Sequence, residues 1–342
     1  MIPKTRRTKL LTAAVAALVA ATAVTWATGT GPFGSSPETS HCWGSWQEGE
    51  GSDSVRLRED KGGTPSPGHP QGTCTATVAT SKGDVTVTVS YGPAPASPSE
   101  RTGWIFSHLG PGRVPLPDGL SGAAGADTGL LVLPAKCDTS DGRPTAVALE
   151  TDATSTTDLG GIGEVAEIIT AAANHGMEKA GCAPAKPLRI TSPVLSLPEE
   201  TESYFAGRAC RIPGLDFPQT RATRLEYQVG AVSRDLQSCA VRDSHDSHTE
   251  ILDLLMVAEP RISALFGDTA GTTRLPGWRG TGTFTDDYAV LRADCAGRAT
   301  TFLTLDPGAV PPARTFAVFA NAVAQRLGCA AITTLPPAGA TS

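Results

Sequence analysis

"LLVLPAKC" occupies residues 130–137 and "YAVLRADC" residues 288–295. Each ends on a cysteine and is followed by a short turn holding Gly-Arg (Gly142-Arg143, Gly297-Arg298), then by a second apolar run. Each half closes on a stretch ending in Gly-Cys, "GEVAEIITAAANHGMEKAGC" and "PPARTFAVFANAVAQRLGC". Aligned on that last Cys, the two stretches share Asn174 with Asn321 and Gly181 with Gly328. One unit is written twice.

Outward from these strands the correspondence continues. The cysteines form two sets of four: Cys42, Cys74, Cys137 and Cys182, then Cys210, Cys239, Cys295 and Cys329. Their gaps are 32, 63 and 45 residues in the first set and 29, 56 and 34 in the second. The second Cys of each set opens an apolar–polar alternation, "CTATVATSKGDVTVTVSY" or "CAVRDSHDSHTEILDLLMV", with polar residues midway. That is the pattern of a β-hairpin. A loop follows in both halves, "LPDGLSG" (116–122) and "LPGWRG" (275–280). The fold class expected is α+β: a tandem duplication of a disulfide-stabilised module, each an antiparallel sheet of about four strands packed by a C-terminal helix. The first module runs over residues 42–182, with a polar, Gly/Pro-rich segment at 47–73 expected to be mobile. A Pro-rich linker covers 183–204, the second module 205–334, and a disordered tail 335–342.

Helix spacing and strand length also predict the bridges. The strand after Cys295 runs away from its hairpin for ~23 Å, and the helix that follows returns over ~27 Å, which brings Cys329 back to Cys295. The same path pairs Cys137 with Cys182, leaving Cys42–Cys74 and Cys210–Cys239 within the modules. Phe316, Phe319, Ala320, Val323 and Leu327 carry the spacing of a buried helix face, matched by Ile169, Ala172, Ala173, Gly176 and Ala180.

Compartment is read from the N-terminus and the cysteines. Residues 1–29 begin with Lys4, Arg6, Arg7 and Lys9 and continue in an uncharged run from Leu10 to Thr28. As a helix that run spans roughly 28 Å, close to a bilayer core, and its cationic flank keeps the N-terminus in the cytoplasm. A single-pass signal anchor followed by a spacer at 30–41 is expected, with a cleaved signal peptide and a secreted product as the alternative. Eight widely spaced Cys with no C-x-x-C pair indicate structural disulfides outside the cytoplasm rather than a zinc or redox motif. Lys is absent after Lys186 while Arg continues, a usage that fits a GC-rich bacterial genome. Beyond the leader 24 basic residues face 34 acidic ones, a balance of −10 that gives no basic face for nucleic acid.

Candidate sites are sparse. No paired acid/base, nucleophile or cofactor signature is present: no catalytic residue and no cofactor are expected. "GLSGA" (119–123) is not a nucleophile elbow. Asp243, His245, Asp246 and His248 form an isolated metal-ligand-like cluster, yet they fall at the tip of a hairpin, where polar residues belong whatever the function. Trp43, Trp46, Trp104 and Trp278, with Arg279, lie in loop-like stretches and are the candidate ligand contacts. Asn174 and Asn321 read as helix residues bonded to a neighbouring loop. The function expected is a non-enzymatic, membrane-anchored binding protein of the bacterial cell envelope, its partner an envelope protein or glycan. An exported hydrolase with carboxylate or His chemistry in a cleft between the modules, and a purely structural envelope component, are the alternatives. Core residues and cysteines recur between the halves whereas loop residues do not, so the modules are expected to be functionally unequal, the second holding the specific contact.

Overall fold

The structure, a computed structural model, describes residues 40–47, 56–80, 83–152, 159, 161–194, 201–203, 209–216, 225–243, 246–274, 276–305 and 312–334. The expected leader and anchor at residues 1–29, most of the expected spacer and the tail at 335–342 lie outside them. Among the described residues no helix is long and apolar enough to cross a membrane.

The first half contains β1 (Ser40–His41), β2 (Trp46–Gln47), β3 (Arg56–Lys61), β4 (Gly72–Thr80), β5 (Gly83–Pro93), α1 (Pro98–Leu109), β6 (Val114–Pro115), β7 (Gly122–Ala124), β8 (Thr128–Val132), β9 (Thr145–Thr151) and α2 (Ile162–Ala180). The second contains β10 (Thr201–Ser203), β11 (Leu225–Val232), β12 (Leu236–Asp243), β13 (Asp246–Val257), α3 (Pro260–Ala264), β14 (Thr281–Phe284), β15 (Tyr288–Cys295), β16 (Arg298–Leu305) and α4 (Pro312–Arg326). Two antiparallel seven-stranded sheets result, ordered β3-β4-β5-β9-β8-β7-β6 and β10-β11-β12-β13-β16-β15-β14. Six strands correspond one to one (β3-β4-β5-β9-β8-β7 with β11-β12-β13-β16-β15-β14), and each sheet adds one edge strand of its own, β6 or β10. The duplication is thus present in topology as well as in spacing.

The bridges are Cys42–Cys74, Cys137–Cys182, Cys210–Cys239 and Cys295–Cys329, with Cα atoms 5.2–5.8 Å apart, and none joins the two halves. Structural disulfides persist where the environment is oxidising, which places the modules outside the cytoplasm.

Each module's long helix covers one face of its sheet. Leu131, Leu133, Val147 and Leu149 bury with Val165, Ile169, Ala172 and Ala173 of α2. Ala289, Leu291 and Phe302 bury with Phe316, Phe319, Ala320 and Val323 of α4. The alternate residues of the same strands, Leu130, Val132, Ala146 and Ala148 in one sheet and Val290 and Leu303 in the other, enter a single third cluster. Ile105, Phe106 and Leu109 of α1, Ile262 of α3, and Leu265 and Phe266 just after it complete that cluster. The central strands are therefore buried on both faces, and this is why "LLVL" reads as an unbroken apolar run instead of alternating. The two modules share a core.

Polar contacts cross the same boundary in both directions. Arg261 donates to the Leu133 carbonyl (2.8 Å) and, bidentately, to Asp138 (2.9 and 2.5 Å). Arg101, its side chain 2% exposed, pairs with Asp268 and donates to the Leu265 carbonyl (3.3 Å). Ser121 donates from its hydroxyl to Glu259 (3.0 Å), whose carboxylate also caps α3 through the Ile262 amide.

Several expectations are corrected. The sheets have seven strands each rather than about four: β3, β6 and β7 extend the first and β10, β11 and β14 the second, and of these β6, β7, β10 and β14 are too short to carry a strand pattern. Residues 56–61, within the segment expected to be mobile, form the edge strand β3; residues 48–55 lie outside the described ones. In the segment at 183–204, expected as a Pro-rich linker, residues 195–200 and 204 lie outside the described ones, and the rest is engaged. Leu188, Ile190 and Val194 pack on the first core, and residues 201–203 pair with β11 as β10. Trp104 sits on helix α1, not in a loop. Ser97 caps that helix and Pro98 opens it, but buried Arg101, Thr102 and His108 interrupt its apolar spacing.

Candidate binding surface

Both modules hold their last segment with one asparagine. In the first, the Asn174 side-chain amide donates to the Leu188 carbonyl (2.9 Å) and its oxygen accepts from the Leu188 N–H (2.8 Å). In the second, Asn321 donates to the Thr333 carbonyl (2.8 Å) and accepts from the N–H groups of Ile332 (2.8 Å) and Thr333 (3.0 Å). The shared asparagines thus fix an extended strap across each long helix.

The loop that meets the strap differs between modules. In the first, Asp118 of "LPDG" adopts φ +59° and accepts from Thr191 N–H (2.6 Å), Ser192 N–H (2.9 Å) and the Ser192 hydroxyl (2.6 Å). These bonds, the Ser192 hydroxyl first, hold its carboxyl well below the usual carboxylate range. That loop is used up in capping a strap. In the second module the strap is held by backbone instead. Arg279 N–H donates to the Ile332 carbonyl (2.7 Å), Thr333 donates from its hydroxyl to the Gly277 carbonyl (2.7 Å), and Trp278 pairs with Thr333. Gly280 lets the loop pass close to β15 as it enters β14, since a Cβ there would stand 2.2 Å from the Arg292 carbonyl oxygen. The exposed Arg279 guanidinium adds one long bond to the Ala331 carbonyl (3.4 Å), and the half-buried Trp278 ring packs at the edge of the second module's core.

Trp278 lies in a three-ring group. Its centroid is 5.1 Å from that of Phe284 and 5.6 Å from that of Phe316, and Phe284 meets Phe316 edge-on at 5.7 Å. Phe316 is fully buried and Trp278 half-buried, but Phe284 is 37% exposed. Phe284 and Val232 are the exposed large hydrophobics among the described residues. Arg274, which pairs with Thr281 of β14, and Arg279 are exposed at the start of this edge; Asp286 and Asp287 are exposed just beyond its end. Sequence alone singled out Trp278 and Arg279. It missed Phe284, whose strand "TGTF" carries no pattern that separates an outward ring from a core one.

The other tryptophans are also in packing contacts, with Trp43 and Trp104 half-buried like Trp278. Trp46 is buried, and Trp43 stands edge-on to Tyr91 at 6.3 Å while donating from Nε1 to the Gly63 carbonyl (3.1 Å). Trp104 leans on His108 at 5.1 Å and on the shared core. His108 is wholly buried, with Nε2 3.2 Å from Glu150, and that contact lowers the Glu150 carboxyl below its ordinary value.

Asp243 and Asp246 pair in register at the tip of the β12–β13 hairpin. His245 and the side chains of Asp243, Asp246 and His248 lie outside the described residues. No group of three His, Cys, Asp or Glu placed to hold a metal occurs among the described residues. Ser121 is bonded to Glu259, whose other carboxylate oxygen is engaged at the Ile262 amide.

No family model matches the chain, and neither a curated protein nor a solved structure matches it. The functional reading therefore rests on the surface itself.

Proposed function

We propose that the protein is a membrane-tethered, extracytoplasmic binding protein of the cell envelope, and that it makes its specific contact through the Trp278–Phe284 edge of the second module. The observation that carries this reading is Phe284. A large aromatic ring is left 37% exposed beside a half-buried Trp, on a scaffold whose other half has no exposed ring at the corresponding strand end, where Ala124 is buried. Exposed aromatics grouped with Arg are what binding surfaces use for contact energy. Tethering rests on the uncharged run at residues 10–28 and is tested by whether the chain stays with membranes after a high-salt wash, with its first residues intact.

The contact is tested by sedimenting the exported part, residues 40–342, with purified envelopes. Retention should fall several-fold for Phe284→Ser and stay unchanged for Val232→Ser, which removes a comparable exposed apolar group, 51% exposed, elsewhere on the same module. Equal retention of wild type and Phe284→Ser would overturn the assignment.

A further inference from the structure

We infer that the Trp278–Phe284 edge takes a neutral glycan whose sugar rings carry equatorial substituents, such as a β-1,4-linked hexose or N-acetylhexosamine chain. This rests on the binding reading above and narrows it in three steps.

The first step concerns the backbone. An edge strand captures a peptide by offering free N–H and C=O groups. Part of that offer is already taken: Gly282 N–H is bonded to the Thr273 carbonyl and Arg274 pairs with Thr281. Residues 273 and 274 thus occupy the start of the edge where an added strand would have to lie, which disfavours β-strand addition of a peptide there.

The second step concerns charge. Residues 205–334 contain 13 arginines, no lysine and 13 carboxylates, a balance of zero, whereas residues 42–182 set 9 basic residues against 17 acidic ones. The same balance holds locally, with exposed Arg274 and Arg279 at one end of β14 and exposed Asp286 and Asp287 past the other. Guanidinium groups only donate hydrogen bonds and carboxylates only accept them. A polyanion or polycation would meet repulsion at one end. A polyhydroxylated neutral ligand is served by both.

The third step concerns shape. The Phe284 and Trp278 rings stand 5.1 Å apart with their planes inclined by 53°, a platform about one sugar ring wide beside a strand that spans roughly 10 Å. A pyranose with equatorial substituents exposes its axial C–H groups as an apolar face, which stacks on such rings, and its hydroxyls lie at the rim within reach of donors and acceptors.

The test is calorimetric titration of residues 40–342 with chitohexaose and with cellohexaose, alongside polygalacturonate and poly-glutamate. At least one neutral oligomer should bind, Phe284→Ala should weaken it about tenfold, and Arg279→Gln should weaken it by a smaller factor with an unchanged melting temperature. Neither anionic polymer should bind. Failure of both neutral oligomers to bind up to their solubility limits would overturn the inference. So would binding that Phe284→Ala leaves unchanged, or tighter binding of either polyanion. If Phe284→Ser abolishes envelope retention while both oligomers fail, the binding surface stands and only its ligand class is wrong.

Discussion

The two modules repeat six strands in one order, two bridges at matched places and an asparagine-held strap, yet they fill the same space differently. In the first, Gly176 of α2 leaves room for Tyr91 of the sheet, so that a Cβ on Gly176 would stand 2.3 Å from that ring. In the second, the aligned residue is Val323, and the bulk comes from the helix side as Phe316 and Phe319. The first module's "LPDG" loop spends its carboxylate on the strap, while the second's "LPGW" loop leaves a Trp and an Arg at the surface. What is kept holds the scaffold together. Among what has diverged is the loop and edge strand of the second module, where an aromatic ring is exposed, and function is sought there.

The sharpest test of the comparison asks whether unequal modules are also independent. Because both sheets bury the same middle cluster, the described domain should melt in a single calorimetric transition. Phe266→Ala, within that cluster, should lower stability by about 3–5 kcal/mol and shift the whole transition. Two transitions, only one of them moved by Phe266→Ala, would show that the modules fold separately.

A smaller effect compares the straps. Asn321→Ala removes three hydrogen bonds and Asn174→Ala two. Each should destabilise by about 1–3 kcal/mol, with Asn321→Ala the more costly. Urea midpoints of the two variants decide it, and a larger loss for Asn174→Ala would contradict the equivalence of the straps.

The smallest effect is an acid sensitivity at one contact of the first module that has no counterpart at the aligned place in the second. His108 lowers the Glu150 carboxyl from its ordinary 4.5, and the aligned residue in the second module is Leu305. A depressed carboxyl stabilises the fold above its unfolded value, and that contribution disappears as pH falls through the folded value. Glu150→Gln should therefore flatten the decline in stability below about pH 4.5. An unchanged decline would mean that the His108–Glu150 contact carries no net stabilisation.

Much of this scaffold was legible in the sequence. The cysteine spacing and the faces of α2 and α4 gave the duplication, because disulfides and helix periodicity are local constraints. The shared core was visible in principle in "LLVL" and "TFLTL", whose lack of alternation marks strands buried on both faces. Helix α1 was hidden because Arg101, Thr102 and His108 are polar yet buried, with partners that sequence does not reveal. The cap Ser97-Pro98 was its one local signal. At the candidate surface Trp278 and Arg279 were legible as residue types. Phe284 was not, since its exposure depends on how far α4 and the strap cover the edge.

The central claim, that the second module alone makes the contact, is tested most directly by hydrogen exchange on residues 40–342 with and without envelope material. Protection should appear over residues 276–287 and be absent over the matching loop and strand at 116–124. Protection at 116–124, or equal protection of both regions, would contradict it.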